Sequence, residues 1–121
     1  MSADPSSRHL FEWEDVGGIA VVRFTTNVLR EERIIRLLFE QVEQLVDSGR
    51  ARVVFNFAGM QAFASYAIGK LISLNAKLAP PAGRLALCCL TPIIDEIIDI
   101  MSLRKRFYIH KTEREAIESF S

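Results

Sequence analysis

Segments typical of buried β-strands alternate with segments typical of amphipathic helices along most of this 121-residue chain. The apolar runs "ARVVFNF" and "RLALCCL" are continuous, as in strands that are covered on both faces. Apolar residues recur at helical spacing in "EERIIRLLFEQVEQLVDSG" and in "YAIGKLISLNAKLA". The alternation is typical of α/β domains, in which helices connect neighbouring parallel strands by right-handed crossovers.

A glycine pair near the start adds an antiparallel element to this pattern. Gly17 and Gly18 stand between two β-rich segments, which predicts a β-hairpin. We therefore predict an α/β fold with a mixed sheet of four to five strands and with helices packed mainly on one face. The helices over about 32–48 and 66–78 are expected to share that face.

Two further helices are predicted from their first residues. Thr91 is followed by Pro92, which suits an N-cap and the first helical position, and Thr112 stands three residues before Glu115, the spacing of a capping box. The short segment "RFYIH" lies between these helices and reads as a last strand.

Length and net charge indicate one small domain whose partner, if any, is not selected by bulk charge. The polar stretch "MSADPSS" predicts a disordered tail over residues 1–8, which leaves 9–121 as the single domain. The 15 basic and 15 acidic residues cancel, so no nucleic-acid partner is expected. The lack of a run of about 20 apolar residues, or of a secretory signal, predicts a cytoplasmic protein without a membrane partner.

No catalytic, metal or cofactor site is predicted. His9 and His110 have no second ligand at metal-binding spacing, and the glycines form no phosphate-binding loop. Cys88 and Cys89 are neighbours on a predicted strand, should point to opposite faces, and have no adjacent base to lower a thiol pKa. The chain is thus not expected to be an enzyme, and a small thiol enzyme stays as an alternative class.

One hydroxyl stands out in "MQAFASYAIGKL", because Ser65 lies where a strand gives way to a helix. A serine at such a junction can be an N-cap, whose oxygen accepts a hydrogen bond from a backbone N–H of the first turn. It can also be a phosphorylation switch, since a phosphate there adds about −1.5 to −2 charge to a surface. The residues alone leave both interpretations open.

The stretches "VVFNFAGMQAFASYAIGKL" and "GRLALCCLTPIIDEIIDIMSLRKRFYIHKTEREAIESF" together resemble the STAS domain of bacterial anti-sigma factor antagonists, over roughly residues 9–121. In that family a strand and a glycine turn lead to Asp-Ser-Ser-Gly-Leu-Gly at a helix start. A glycine-led strand, an "sP" helix start, an "L-x-K-x-F" segment and an "EEA" helix follow in that order. The resemblance implies the STAS fold and a regulatory binding module without catalysis.

Position by position, Ser65 falls on the serine that a serine-kinase anti-sigma factor phosphorylates in that family, and Gly59 and Gly69 fall on the turn glycine and on the last motif glycine. The resemblance implies a partner-binding surface that consists of Ala64, Ser65, Tyr66, Ile68 and Gly69.

This chain departs from the family motif around the serine. Ala64 replaces the preceding aspartate, Tyr66 the second serine and Ala67 the following glycine, while Asn56 replaces the acidic residue that ends the strand. Loss of the aspartate removes a carboxylate from beside the hydroxyl, and Tyr66 adds bulk next to it.

The resemblance implies a role in a partner-switching pathway that regulates transcription. The expected partner is a serine-kinase anti-sigma factor, with a serine phosphatase and a second copy of the chain as further candidates. The alternative is a constitutive STAS scaffold or adaptor protein without a phosphorylation cycle.

Overall fold

The computed structural model describes residues 10–78 and 83–120, so the predicted tail over residues 1–8 and His9 lie outside the described residues. Its elements, in chain order, are β1 Phe11–Val16, β2 Ile19–Phe24, β3 Val28–Leu29, α1 Glu32–Asp47, β4 Arg52–Asn56, β5 Ala62–Phe63, α2 Ser65–Lys77, β6 Arg84–Cys88, α3 Pro92–Ile100, β7 Tyr108–His110 and α4 Glu113–Glu118.

The glycine pair forms the predicted hairpin between β1 and β2. Gly17 and Gly18 have φ values of 59° and 88°, and Val16 pairs with Ile19, so the loop has two residues. Positive φ at both loop positions is the requirement of a type I′ turn, which glycine meets without a steric cost. The Asp15 carboxylate also accepts a hydrogen bond from the Gly18 N–H at 2.9 Å.

The main sheet is mixed and has five strands in the order β1-β2-β4-β6-β7, as predicted. The β1–β2 pair is antiparallel, whereas β2, β4, β6 and β7 pair in parallel. The middle strand β4 places Val53, Val54 and Phe55 in succession at 1% exposure or less. A continuous apolar run is therefore explained by helices on both faces of the sheet.

Alternate residues of the central strands belong to two separate apolar layers. Val53 and Phe55 pack in the larger layer with residues of α1, α2 and α3. Val54 packs in a smaller layer with Ala116 of α4. The prediction that helices lie mainly on one face, with α1 and α2 together, is confirmed.

A second sheet of two short parallel strands was not predicted. Val28 of β3 pairs with Ala62 of β5, and Leu29 pairs with Phe63. Strands of two residues are too short to show an alternating pattern, so periodicity cannot reveal them. This small sheet matters for function because β5 runs directly into α2.

Both predicted threonine N-caps are confirmed. The Thr91 hydroxyl oxygen accepts from the Ile94 N–H at 3.4 Å, and that of Thr112 accepts from the Glu115 N–H at 3.1 Å. The Thr91 hydroxyl also donates to the Met60 carbonyl oxygen at 2.7 Å. The cap of α3 is therefore tied to the turn that precedes β5.

Two glycines should respond in opposite ways to alanine. A Cβ at Gly83 would collide with the backbone carbonyl oxygen of Ala51, whereas a Cβ at Gly69 in α2 would enter open space. We expect Gly83→Ala to destabilise the domain by about 1–3 kcal/mol through strain. Gly69→Ala should stabilise it by about 0.5–1 kcal/mol because alanine is the better helix former. Urea unfolding measures both, and a stable Gly83→Ala variant would contradict the close approach.

Candidate functional site

Ser65 is the first residue of α2, and its side chain is exposed. The N-cap is Ala64, which is extended at φ −64° and ψ 157°, and whose carbonyl oxygen accepts from the Ile68 N–H at 3.1 Å. No side-chain hydrogen bond caps this helix. The interpretation of Ser65 as an N-cap is therefore wrong: Ala64, whose N–H is bonded to β3, is the extended N-cap residue, so the helix begins one residue earlier than a serine cap at position 65 needs.

Four of the five residues of the expected partner surface reach solvent. Ser65 and Gly69 are exposed and lie one helical turn apart, and Ala64 and Tyr66 are partly exposed. Ile68 is different, because only 4% of it is exposed and it packs in the larger apolar layer. The contribution of Ile68 to this surface is to anchor α2 from below.

The small sheet and the turn before it hold the start of α2 in place. The Ala64 N–H donates to the Leu29 carbonyl oxygen at 2.8 Å, and the Gln61 N–H donates to the Asn27 carbonyl oxygen at 2.7 Å. Met60 is 1% exposed and fills the space beneath the turn. The backbone that leads into Ser65 is thus held by hydrogen bonds to β3 and its preceding turn, and by the packing of Met60.

A polar network ties the end of β4 to the start of α4, and sequence reasoning missed it. Glu113 accepts two hydrogen bonds from the Arg23 guanidinium, at 2.9 and 2.7 Å, and one from the Asn56 amide at 2.9 Å. The Asn56 side-chain oxygen in turn accepts from the Ala58 N–H at 2.8 Å. Asn56 therefore links α4 to the turn that leads towards Ser65.

The network also determines the charge state of its carboxylate. The hydrogen bonds and the charge of Arg23, with the Asn56 hydrogen bond, hold the pKa of Glu113 below its ordinary value of 4.5, against the opposite effect of burial. Glu113 is therefore ionised at neutral pH, and asparagine at position 56 suits this arrangement because it donates to the carboxylate.

The two cysteines do not point to opposite faces as predicted. Cys88 ends β6 and is fully buried under α4, and Cys89 follows the strand with a φ of 60° and contacts the same layer. The left-handed backbone at Cys89 breaks the alternation that a strand would impose. Burial is the main cause that raises the pKa of the Cys88 thiol, and the neighbouring Cys89 raises it further. The Cys88 thiol therefore stays protonated.

Other kinds of site find no support in the described parts of the chain. Residues 10–78 and 83–120 bring together no group of three or more metal-ligating side chains from His, Cys, Asp and Glu. Within the same ranges, no helix is both long enough and apolar enough to cross a bilayer. The exposed surface around Ser65 thus stays the candidate site.

Comparison with known protein families identifies the domain. The sequence model of the STAS domain matches residues 11–116, which is most of the chain. This chain therefore belongs to the STAS domain family, and it is a regulatory module of the kind that does no catalysis.

Solved structures with the same fold include anti-sigma factor antagonists. A STAS domain protein of Planctomyces limnophilus is 17% identical at a TM-score of 0.80, and the match covers 92% of this chain and 97% of that one. An antagonist from Mycobacterium paratuberculosis is 18% identical at 0.79, covering 90% and 91%. Phosphorylated SpoIIAA of Bacillus is 20% identical at 0.70, covering 92% and 99%. No curated protein matches the sequence.

The Glu113 network should make stability depend on pH. The pKa of Glu113 is lowered in the folded state, so its contribution is present above about pH 4.5 and is lost as pH falls through the folded pKa. Glu113→Gln should cost roughly 1 kcal/mol at pH 7, and the difference from wild type should shrink below pH 4.5. Urea unfolding at several pH values measures this. The control is Glu118→Gln on the same helix, whose exposed pair with Arg114 should contribute little.

The cysteines should differ in their tolerance of serine. Cys88→Ser places a hydroxyl in a fully buried apolar layer and should cost about 1–3 kcal/mol, whereas Cys89→Ser should cost less because Cys89 is only partly buried. Thermal and urea unfolding measure the two variants side by side. Equal losses would contradict the different burial of the two thiols, and a thiol-dependent turnover would contradict the regulatory role.

Proposed function

We propose that this domain binds a serine-kinase anti-sigma factor through the surface at the start of α2, and that phosphorylation of Ser65 releases the partner. The observation that carries the proposal is the exposure of Ser65 at the first position of α2, with no part in capping the helix. The partner type and the kinase reaction follow from the family resemblance around this serine.

The surroundings of Ser65 support a switch that acts on binding more than on folding. A phosphate at the first turn is compatible with the positive end of the helix dipole, so the domain itself should tolerate it. Ala64 and Tyr66 beside it are partly exposed and uncharged. A partner that covers these groups would have to desolvate the phosphate, which weakens the complex.

A constitutive scaffold is the second candidate, and one feature favours it. Ala64 offers no carboxylate beside the hydroxyl, and Tyr66, whose ring centroid lies 5.6 Å from the Lys70 ammonium, is bulkier than the serine at this position of the family motif. In this second function the same surface binds its partner without a phosphorylation cycle.

Two variants of Ser65, compared with wild type, separate the two functions. Ser65→Asp should weaken binding to the proposed partner, a serine-kinase anti-sigma factor from the same organism, by about tenfold or more, whereas Ser65→Ala should bind as wild type does. Calorimetric titration measures the affinities, and mass spectrometry locates phosphate after incubation with ATP and the kinase. Equal affinities, together with no phosphate on Ser65, would establish the scaffold.

Stability measurements provide the control. Because Ser65 makes no capping hydrogen bond, Ser65→Ala should change the free energy of unfolding by less than about 0.5 kcal/mol, not by the 0.5–2 kcal/mol typical of a lost cap. A larger loss would mean that the binding result reflects folding.

A further inference from the structure

An amphipathic cleft lies beside β3, next to the strand that leads to Ser65. It has a volume of about 520 Å³, and its lining residues are Leu10, Thr26, Val28, Arg30, Glu31, Arg33 and Ile34. The cleft adjoins the proposed partner surface, because the Leu29 carbonyl oxygen of β3 accepts from the Ala64 N–H at 2.8 Å. A protein that covers Ser65 would also reach this cleft.

The apolar part of the cleft offers room for aliphatic side chains. Val28 is 39% exposed, a large fraction for a valine, while Ile34 is partly buried and Leu10 is buried at its floor. A volume of this size lies within the range of typical small-ligand pockets, so it accommodates one or two aliphatic side chains.

The charged part of the cleft is basic, and its arginines are free to pair with acidic groups of a partner. Arg30 and Arg33 are exposed and make no ion pair with any described side chain, in contrast to Arg36, which lies 3.8 Å from Glu32. Glu31 is the acidic residue of the lining, so the lining has one net positive charge. The complementary charge on a partner is negative.

The backbone of Val28 on β3 already has hydrogen-bond partners. The Val28 N–H donates to the Thr26 hydroxyl oxygen at 3.2 Å, and the Thr26 hydroxyl donates to the Val28 carbonyl oxygen at 3.1 Å. Both backbone groups that an added strand would use are thus occupied by one side chain. The side chains of the cleft are therefore the groups left to recognise a partner.

We propose that this cleft docks an acidic segment of the partner protein, with an aliphatic side chain against Val28 and Ile34 and carboxylates against Arg30 and Arg33. The proposal rests on the proposed function, because it assigns the cleft to the protein that covers Ser65. The cleft contributes affinity and orientation, while Ser65 contributes control.

The test uses a fluorescein-labelled twelve-residue peptide of leucine and glutamate, and a matched peptide with lysine in place of every glutamate. Fluorescence anisotropy with the full chain should show binding of the acidic peptide and at least tenfold weaker binding of the basic one. Backbone amide shifts in ¹⁵N-labelled protein should change at Val28, Arg30 and Ile34. Equal binding of both peptides, or shifts confined to other surfaces, would overturn the proposal.

Variants of the cleft complete the experiment. Arg30→Glu combined with Arg33→Glu should weaken the acidic peptide about tenfold or more, and Val28→Ser should also weaken it. Arg114→Glu, at an exposed position on α4, is the matched control and should leave binding unchanged. Circular dichroism confirms that each variant folds, and a folded double variant that still binds the peptide would overturn the proposal.

Two other occupants are separate outcomes. Light scattering that shows a dimer sensitive to Arg30→Glu would assign the cleft to a second copy of this chain. Binding of the acidic peptide only after removal of residues 1–8 would assign it to the chain's own first residues. Either result overturns docking of a partner segment.

The peptide assay contains no kinase, so a negative peptide result does not contradict the proposed phosphorylation of Ser65. In the same way, a negative phosphorylation result does not contradict peptide binding in the cleft.

Discussion

Covering both faces of β4 is the constraint on which the rest of the structure depends. Val53 and Phe55 require a helical layer on one side, and Val54 requires α4 on the other. Each fully buried side chain of this size contributes about 1.5–3 kcal/mol only while its own layer stays in place. The crossover helices, the order of the parallel strands and the position of α4 all follow from this requirement.

The same arrangement explains why the candidate site combines a packed backbone with solvent-exposed side chains. The parallel strands end at one edge of the sheet, and the turn after β4 leads through Met60 and β5 into α2. Binding residues on short connections above a packed scaffold are common in proteins. Ser65 therefore combines an exposed hydroxyl with backbone whose position is determined by buried neighbours.

The sequence predicts those parts of the molecule whose signals are local. The Gly17-Gly18 turn, the Thr91 and Thr112 caps and the order of the main-sheet strands and helices depend on neighbouring residues, and all three predictions are confirmed. The Arg23–Glu113 contact joins residues 90 positions apart, so no local pattern reports it.

Errors at the site have the same origin. Ser65 was open to interpretation as a cap because β3, which holds Ala64 extended, has only two residues and leaves no periodic signal. The left-handed backbone of Cys89 is equally invisible in a run of apolar letters. Local chemistry thus predicts elements well, whereas long-range pairing decides which residues finally share a surface.

The position of Cys88 beneath α4 gives the domain a built-in reporter of its own opening. A helix of six residues is too short to be stable alone, so α4 depends on the Glu113 network and on Ala116 against the sheet. When α4 lifts away while the rest of the sheet stays folded, the buried thiol meets solvent. In a Cys89→Ser background, the rate at which a thiol reagent modifies Cys88, relative to the rate for an unprotected thiol, therefore gives the free energy of this local opening, separately from global unfolding.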